Sequence, residues 1–198
     1  DAGFDYLYDK VGMYDTMRNV ICGNSPTSQI TTAWQWVDPI HDHMLYFLEN
    51  HDEQRVASDF FAGDAFRAYP AFVVNTLMRS NPFMVYAGQE YGERGMDAEG
   101  FSGKDGRTTI FDYWTVPSLY RAYVDNSLSE DEARLDALYT RILQIASKEK
   151  AVSEGQFFDL MYVNGHFASR QYAFLRKADD EMMLVVANFA DEDVTCKV

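Results

Sequence analysis

The chain has 198 residues, 47% of them apolar and 15% aromatic, so a sizeable core is within reach and general disorder is excluded. Its formal charge is −14 and Lys and Arg are nowhere clustered, which argues against a phosphate-backbone partner, DNA or RNA. No apolar stretch reaches the ~20 residues of a membrane-spanning helix, and two isolated cysteines, Cys22 and Cys196, make neither a disulfide framework nor a zinc motif.

Residues 4–9 alternate apolar and polar, which predicts a strand. Residues 14–22 carry Met17, Val20 and Ile21 at helical spacing and stop at Gly23. Ile30, Ala33, Trp34 and Val37 mark one face of a second helix, ended by Pro39. Residues 44–48 are a continuous apolar run, the pattern of a strand covered on both sides. Residues 65–79 read as a helix with Pro70 inside it; a proline in mid-helix costs about 3 kcal/mol, so a kink or a later start is expected. Residues 83–87 are another apolar strand, followed by Gly88-Gln89-Glu90 and a long Gly-rich, charged loop from Gly92 to Gly106.

Ser129 and Glu132 form a capping box at the head of a helix that runs through Leu135, Leu138, Ile142 and Ile145. After Gly155 the pattern changes to strands at residues 157–162, 172–176 and 182–188, separated by turn signals with no helix between them. Strand–helix alternation predicts a parallel sheet in the first part; the tail predicts an antiparallel one. The boundary falls near residue 154, dividing residues 1–154 from 155–198. Three strands are too few for a closed barrel.

Phe47-Leu48-Glu49-Asn50-His51-Asp52 is the most telling stretch. A buried strand turns abruptly into acids, and in parallel α/β sheets and barrels chemistry sits at that end. Glu49-Asn50-His51-Asp52 resembles the fourth signature region of the α-amylase family, glycoside hydrolase family 13. The segment from Asn81 to Glu90 is similar to that family's eighth barrel strand. Residues 4–9 look like the sixth, residues 129–150 like the last barrel helix, and residues 172–176 and 184–189 like the opening strands of the C-terminal β-sandwich.

The resemblance implies an α/β fold: the last three strand–helix units of a (β/α)8 barrel, followed by an incomplete antiparallel β-sandwich. It implies a parent enzyme that cleaves α-glucosidic bonds of starch or malto-oligosaccharides with retention. Two close carboxylates and an oxocarbenium-like transition state do that work. Asp52 matches the family's third acid, which binds ring hydroxyls and favours the charged, distorted ring. His51 matches the histidine that hydrogen-bonds the same sugar. Without the resemblance, Asp52 would read as a solvated loop acid or a helix cap.

Asn50 and Arg55 complete the substrate-binding candidates. For Asn50 and Glu49, loop support is the stronger reading; for Arg55, a partnership with nearby carboxylates. Glu90 and Gln89 read as structural groups beneath the site. The family's nucleophile and proton donor are not recognisable in these residues, so the chain is expected to be a C-terminal portion, inert alone.

No cofactor is expected in this chain, although the resemblance leaves room for calcium in a longer parent. His41-Asp42-His43 invites a metal reading, but no third ligand is evident. Trp34 reads as core, and Trp114 is the better sugar platform, though packing is the stronger reading for it too. Expected partners are an α-glucan or malto-oligosaccharide, with no nucleic acid and no membrane, and association through an open sheet edge. A transglycosylase or isomerase of the same family, or a non-catalytic binding or transporter-associated relative, are the alternatives. The first residues do not read as a signal peptide, and the compartment is left open.

Overall fold

The computed structural model describes residues 3–97, 103–108, 111, 115–167 and 169–198. Two compact units form within them. The first comprises the chain up to Phe47, Pro70–Met84 and Ile142–Val198; the second comprises Leu48–Tyr69 and Val85–Arg141.

In the first unit, strands β1 (Leu7–Tyr8), β2 (Met44–Phe47) and β3 (Phe83–Met84) form a parallel sheet in that order. Leu7 pairs with Met44 and Phe47 with Met84. The outer two strands are shorter than the apolar runs predict. β3 ends opposite Phe47, where β2 itself ends and the ladder has no further partner. Asp9 closes β1: its backbone N–H donates to the Leu45 carbonyl at 3.1 Å, and its Oδ1 accepts the N–H groups of Gly12 and Met13. A Cβ at Gly12 would lie 2.4 Å from that oxygen, so the π-helical turn Lys10–Tyr14 needs glycine there.

Helix α1 (Asp15–Ile21) then buries Met17, Val20 and Ile21, and α2 (Ser28–Val37) buries Ile30, Ala33 and Val37. Helix α3 (Tyr69–Leu77) begins one residue before Pro70, after a 3-10 turn over Ala65–Ala68. The proline therefore sits in the first turn, where a missing N–H costs nothing.

Beyond residue 154 the topology switches as expected. β4 (Gln156–Asp159), β5 (Gln171–Ala178) and β6 (Glu181–Asn188) form an antiparallel sheet. Ala178 pairs with Glu181 across a two-residue turn, with Asp179 at φ +47°. Compactness follows a different line from topology, since this sheet belongs to the same unit as the parallel strands. On β6, Val185 and Ala187 are buried while Met182, Leu184 and Val186 are exposed. Phe4 and Tyr6 before β1, and Leu7 and Tyr8 within it, are exposed, and among the described residues β1 pairs with β2 alone.

Two polar clusters tie the first unit together. Asp159 Oδ2 accepts from Thr31 Oγ1 (2.7 Å), Trp34 Nε1 (2.8 Å) and Tyr172 OH (2.9 Å), joining α2 to the sheet. Trp34 is thus a half-buried anchor. Burial, with the Asp159 charge beside it, pushes the Tyr172 hydroxyl well above its usual pKa.

Arg176, on β5, is buried in a cage of carbonyls. Its Nε donates to Ala151 O (3.0 Å), Nη1 to Met78 O (2.6 Å), and Nη2 to Val152 O (2.5 Å), Gly155 O (2.8 Å) and Ser80 Oγ (3.3 Å). Met78 follows the last turn of α3, and Ala151 and Val152 lie in α6 (Lys150–Ser153), so one cation serves the negative ends of two helices. Burial, then the like charge of Arg79, lowers its pKa to about 10, which leaves it charged at neutral pH. Arg176→Met would strand these carbonyls at about 1–3 kcal/mol each before relaxation, so a loss of at least about 3 kcal/mol is expected in urea unfolding. Arg176→Lys should recover only part of it, because an ammonium cannot reproduce the fork.

The second unit holds the 3-10 turn Gln89–Tyr91, helix α4 (Pro117–Tyr120), the π-helical turn Arg121–Asp125 and the first part of helix α5 (Glu130–Lys148). The capping box is formed: Glu132 N–H donates to Ser129 Oγ (3.2 Å), and Ser129 N–H donates to Glu132 Oε2 (2.8 Å). Leu135, Tyr139 and Ile142 supply the buried face of α5, with Leu138 and Ile145 half-buried beside them. Among the described residues no helix is long and apolar enough to cross a membrane.

Candidate functional site

The chain leaves β2 at Phe47 and enters the second unit at Leu48. Asn50 then folds the backbone over itself: its Oδ1 accepts the N–H groups of Asp52 and Glu53, both at 2.9 Å. This is the Asx turn that short amide side chains favour. It lifts the next two side chains into solvent, with His51 44% and Asp52 71% exposed, and their Nε2 and Oδ2 atoms 3.4 Å apart.

Beneath the turn lies a fully buried ion pair. Glu49 Oε1 accepts the Val56 N–H and its Oε2 accepts Arg55 Nη1, both at 2.7 Å, so one carboxylate clamps both ends of the loop. Burial pushes the Glu49 carboxyl up from its ordinary value, opposed by the Arg55 charge and by these hydrogen bonds. Arg55 Nη2 donates to Ala87 O (2.7 Å) and to Thr108 Oγ1 (2.9 Å), Nε donates to the same hydroxyl (3.2 Å), and the guanidinium lies 4.2 Å from the Tyr86 ring centroid. The Arg55 N–H also donates to Gly106 O at 2.6 Å. Gly106 has φ +80°, and a Cβ there would come within 2.5 Å of Ser58 Oγ. Only glycine allows residues 103–108 to brace the turn so closely.

Of the expected sugar contacts, His51 and Asp52 are presented to solvent and brought together. Asn50 and Arg55 are not presented. Asn50 is buried with its carbonyl committed to the turn, and the Arg55 side chain is 1% exposed with its donors committed to Glu49, Thr108 and Ala87. These contacts are the ones that loop support, for Asn50, and partnership with a carboxylate, for Arg55, call for. Thr108, Gly106 and Tyr86 gave no sequence signal, because no local periodicity links residues 53 apart. Gln89 accepts from Tyr86 N–H (3.2 Å) and donates to Tyr139 OH (3.0 Å). Glu90 accepts from Gly88 N–H (3.1 Å), and burial pushes its carboxyl up. Both hold the strand-end turn.

A cavity of about 630 Å³ also lies in this unit, walled by Phe66, Tyr91, Glu93, Arg121 and Glu132 among others; no residue from 49–55 lines it. Glu93 is buried and accepts from Gly95 N–H, Ser118 N–H and Ser118 Oγ, which latches the Gly-rich loop to α4. The Trp114 sugar-platform reading falls outside the described residues.

His41 and His43 lie in a 3-10 segment, Asp38–His43, and not in a strand, so their two-residue spacing does not put them on one face. His41 Nδ1 is bonded to Asp38 O and His43 Nδ1 to Asp5 O. Among the described residues no three His, Cys, Asp or Glu side chains gather in a way that would hold a metal ion.

The fold has clear relatives among solved structures. AmyP in complex with maltose superimposes with a TM-score of 0.64 at 17% identity, over 93% of this chain and 40% of that one. The noncanonic maltogenic α-amylase AmyB from Thermotoga neapolitana gives 0.62 at 22% identity, over 94% and 38%. CldA, a cyclomaltodextrin glucanotransferase with a three-domain ABC distribution, gives 0.54 at 11% identity, over 89% and 31%. The mixed α/β arrangement of parallel strands, helices and a following antiparallel sheet is therefore an amylase-type fold, and the chain spans about two fifths or less of these relatives' length. No protein-family model and no curated protein sequence matches the chain.

Proposed function

We propose that this chain belongs to the α-amylase family and supplies one wall of a site that cleaves α-glucosidic bonds in starch or malto-oligosaccharides with retention. The fold of its solved relatives and the motif Glu49-Asn50-His51-Asp52 support this reading, together with the partial (β/α)8 barrel it implies. The observation that carries it is the turn itself: a buried carboxylate, guanidinium and carboxamide are all spent on holding one exposed His–Asp pair. Such investment is unusual for a solvated loop and usual for a preorganised site.

Asp52 binds neighbouring hydroxyls of the sugar ring being cleaved. Its charge favours the oxocarbenium-like ring over the ground-state ring, which lowers the barrier without covalent chemistry. His51 hydrogen-bonds the same ring and orients it against Asp52. Asn50, Glu49 and Arg55 fix the height of the loop. The attacking carboxylate and the proton donor come from residues other than these.

The 198 residues alone should therefore release no reducing sugar from maltoheptaose or starch, whereas a longer polypeptide containing them should. Robust turnover by the chain alone would refute the division of labour. The likeness to a glucanotransferase supports a second reading, transfer of the glycosyl group to a sugar hydroxyl instead of water. Asp52 and His51 serve both reactions equally, and product analysis of the longer polypeptide separates them.

A further inference from the structure

The Arg55 guanidinium is gripped from two sides. Nη1 meets the Glu49 carboxylate and Nη2 the Ala87 carbonyl, both at 2.7 Å. The Nε–Nη2 edge is held by one neutral group: Thr108 Oγ1 accepts from Nε at 3.2 Å and from Nη2 at 2.9 Å. A hydroxyl oxygen has two lone pairs, and this edge takes both. The hydroxyl hydrogen is left for Tyr86, whose OH lies 3.5 Å away. Thr108 is 1% exposed, so no sugar reaches that oxygen.

The grip matters because a guanidinium is planar, with its donors in a fixed fork. The Tyr86 ring, 4.2 Å from the guanidinium carbon, packs on the group without setting its rotation in the plane. Contacts along the edges set it, and Thr108 holds the edge that leaves Nη1 aimed at Glu49 Oε2. The other Glu49 oxygen accepts the Val56 N–H, and Asn50, next in the chain, accepts those of Asp52 and Glu53. A run of short contacts thus leads from Thr108 through Arg55 and Glu49 to the turn that carries His51 and Asp52. The same segment meets Arg55 a second time, where Gly106 O accepts its backbone N–H.

Valine at position 108 would keep the branched shape and remove the acceptor, which leaves two buried N–H donors without a partner. The guanidinium would then turn towards the acceptors that remain, and the Glu49 clamp would turn with it. A displacement of about 1 Å at a reacting group is enough to cost a large share of a rate.

We propose that Thr108 is a positioning residue for the Asp52 carboxylate, acting through Arg55 and Glu49 without touching the sugar. Its effect on catalysis rests on the function proposed above; its hold on the turn rests on the contacts alone.

The test compares Thr108→Val with Thr108→Ser. In the isotope-labelled 198-residue chain, amide hydrogen exchange is followed by nuclear magnetic resonance. Thr108→Val should speed exchange at Asp52, Glu53 and Val56 about tenfold or more, while Leu135 and Tyr139 in helix α5 stay within about twofold. Thr108→Ser keeps the hydroxyl and should hold all five within about twofold of wild type. No acceleration at the turn, equal acceleration at α5, or an equal effect of serine would overturn the proposal. In a longer polypeptide that carries the activity proposed above, Thr108→Val should lower kcat about tenfold with KM nearly unchanged, and Thr108→Ser should restore it. Added to Asp52→Asn, Thr108→Val should cost nothing more, because no charge is left to position. A full additive loss in that double variant would overturn the proposal. If the turn amides respond but a longer polypeptide cleaves no α-glucan, the cleavage reading fails and the hold of Thr108 on the turn stands; cleavage with the turn amides unmoved gives the reverse.

Discussion

Arg55→Met is expected to destabilise the second unit by about 3–5 kcal/mol, the cost of breaking a buried ion pair by removing one partner. The Glu49 carboxylate would remain buried with its cation gone, while the Thr108 hydroxyl and Ala87 carbonyl lose their donor. The loss carries a pH signature. Burial already raises the Glu49 carboxyl above its ordinary 4.5, and loss of the Arg55 charge raises it further. A carboxyl whose folded pKa is raised binds its proton more tightly in the folded than in the unfolded state. Stability is then fullest below about 4.5 and falls as pH climbs through the raised folded value.

The variant's deficit should therefore be largest near neutrality and shrink as pH falls towards about 4.5. Urea unfolding of wild type and variant across that range reads it directly. A deficit independent of pH would mean that packing, not the stranded charge, sets the loss. Adding Glu49→Gln to Arg55→Met should recover much of the stability near neutrality, since removing the second charge removes the penalty.

Asp52→Asn is expected to behave oppositely, leaving stability alone and removing catalysis. The side chain is 71% exposed and its recorded ion-pair contact is with His51, so melting of the chain should be unchanged. In a longer polypeptide that carries the activity proposed above, kcat on maltoheptaose should fall by about 10²–10³-fold, the usual worth of one preorganised electrostatic group. KM should move much less, because the charge acts mainly on the developing cation. Activity within threefold of wild type would remove Asp52 from the mechanism. The two variants separate the roles proposed for the turn: Arg55 for holding the loop, Asp52 for meeting the sugar.

Legibility from the residues followed the range of the interaction. The apolar run of β2, the Ser129–Glu132 capping box and the late start of α3 at Pro70 all appear as read, because each depends on neighbours within a few positions. Readings that depended on assumed geometry fared differently. His41 and His43 share a face only if their backbone is extended, and the 3-10 segment removes that condition. β1 and β3 are cut short by the length of the strand between them, which their own sequences do not record.

Sequence alone determined the strand–helix alternation and the later switch to antiparallel strands, and it pointed to the contiguous motif Glu49-Asn50-His51-Asp52, since side-chain spacing and a short local pattern carry that information. Tertiary structure decided the rest. It committed the Asn50 carboxamide oxygen and the Arg55 guanidinium to contacts within the loop and its supports, set Gly106 and Thr108 beneath a loop about fifty residues earlier, and gathered the carbonyls around Arg176. Those groups meet because burial demands partners for every polar atom, and chain topology alone chooses which partners are within reach.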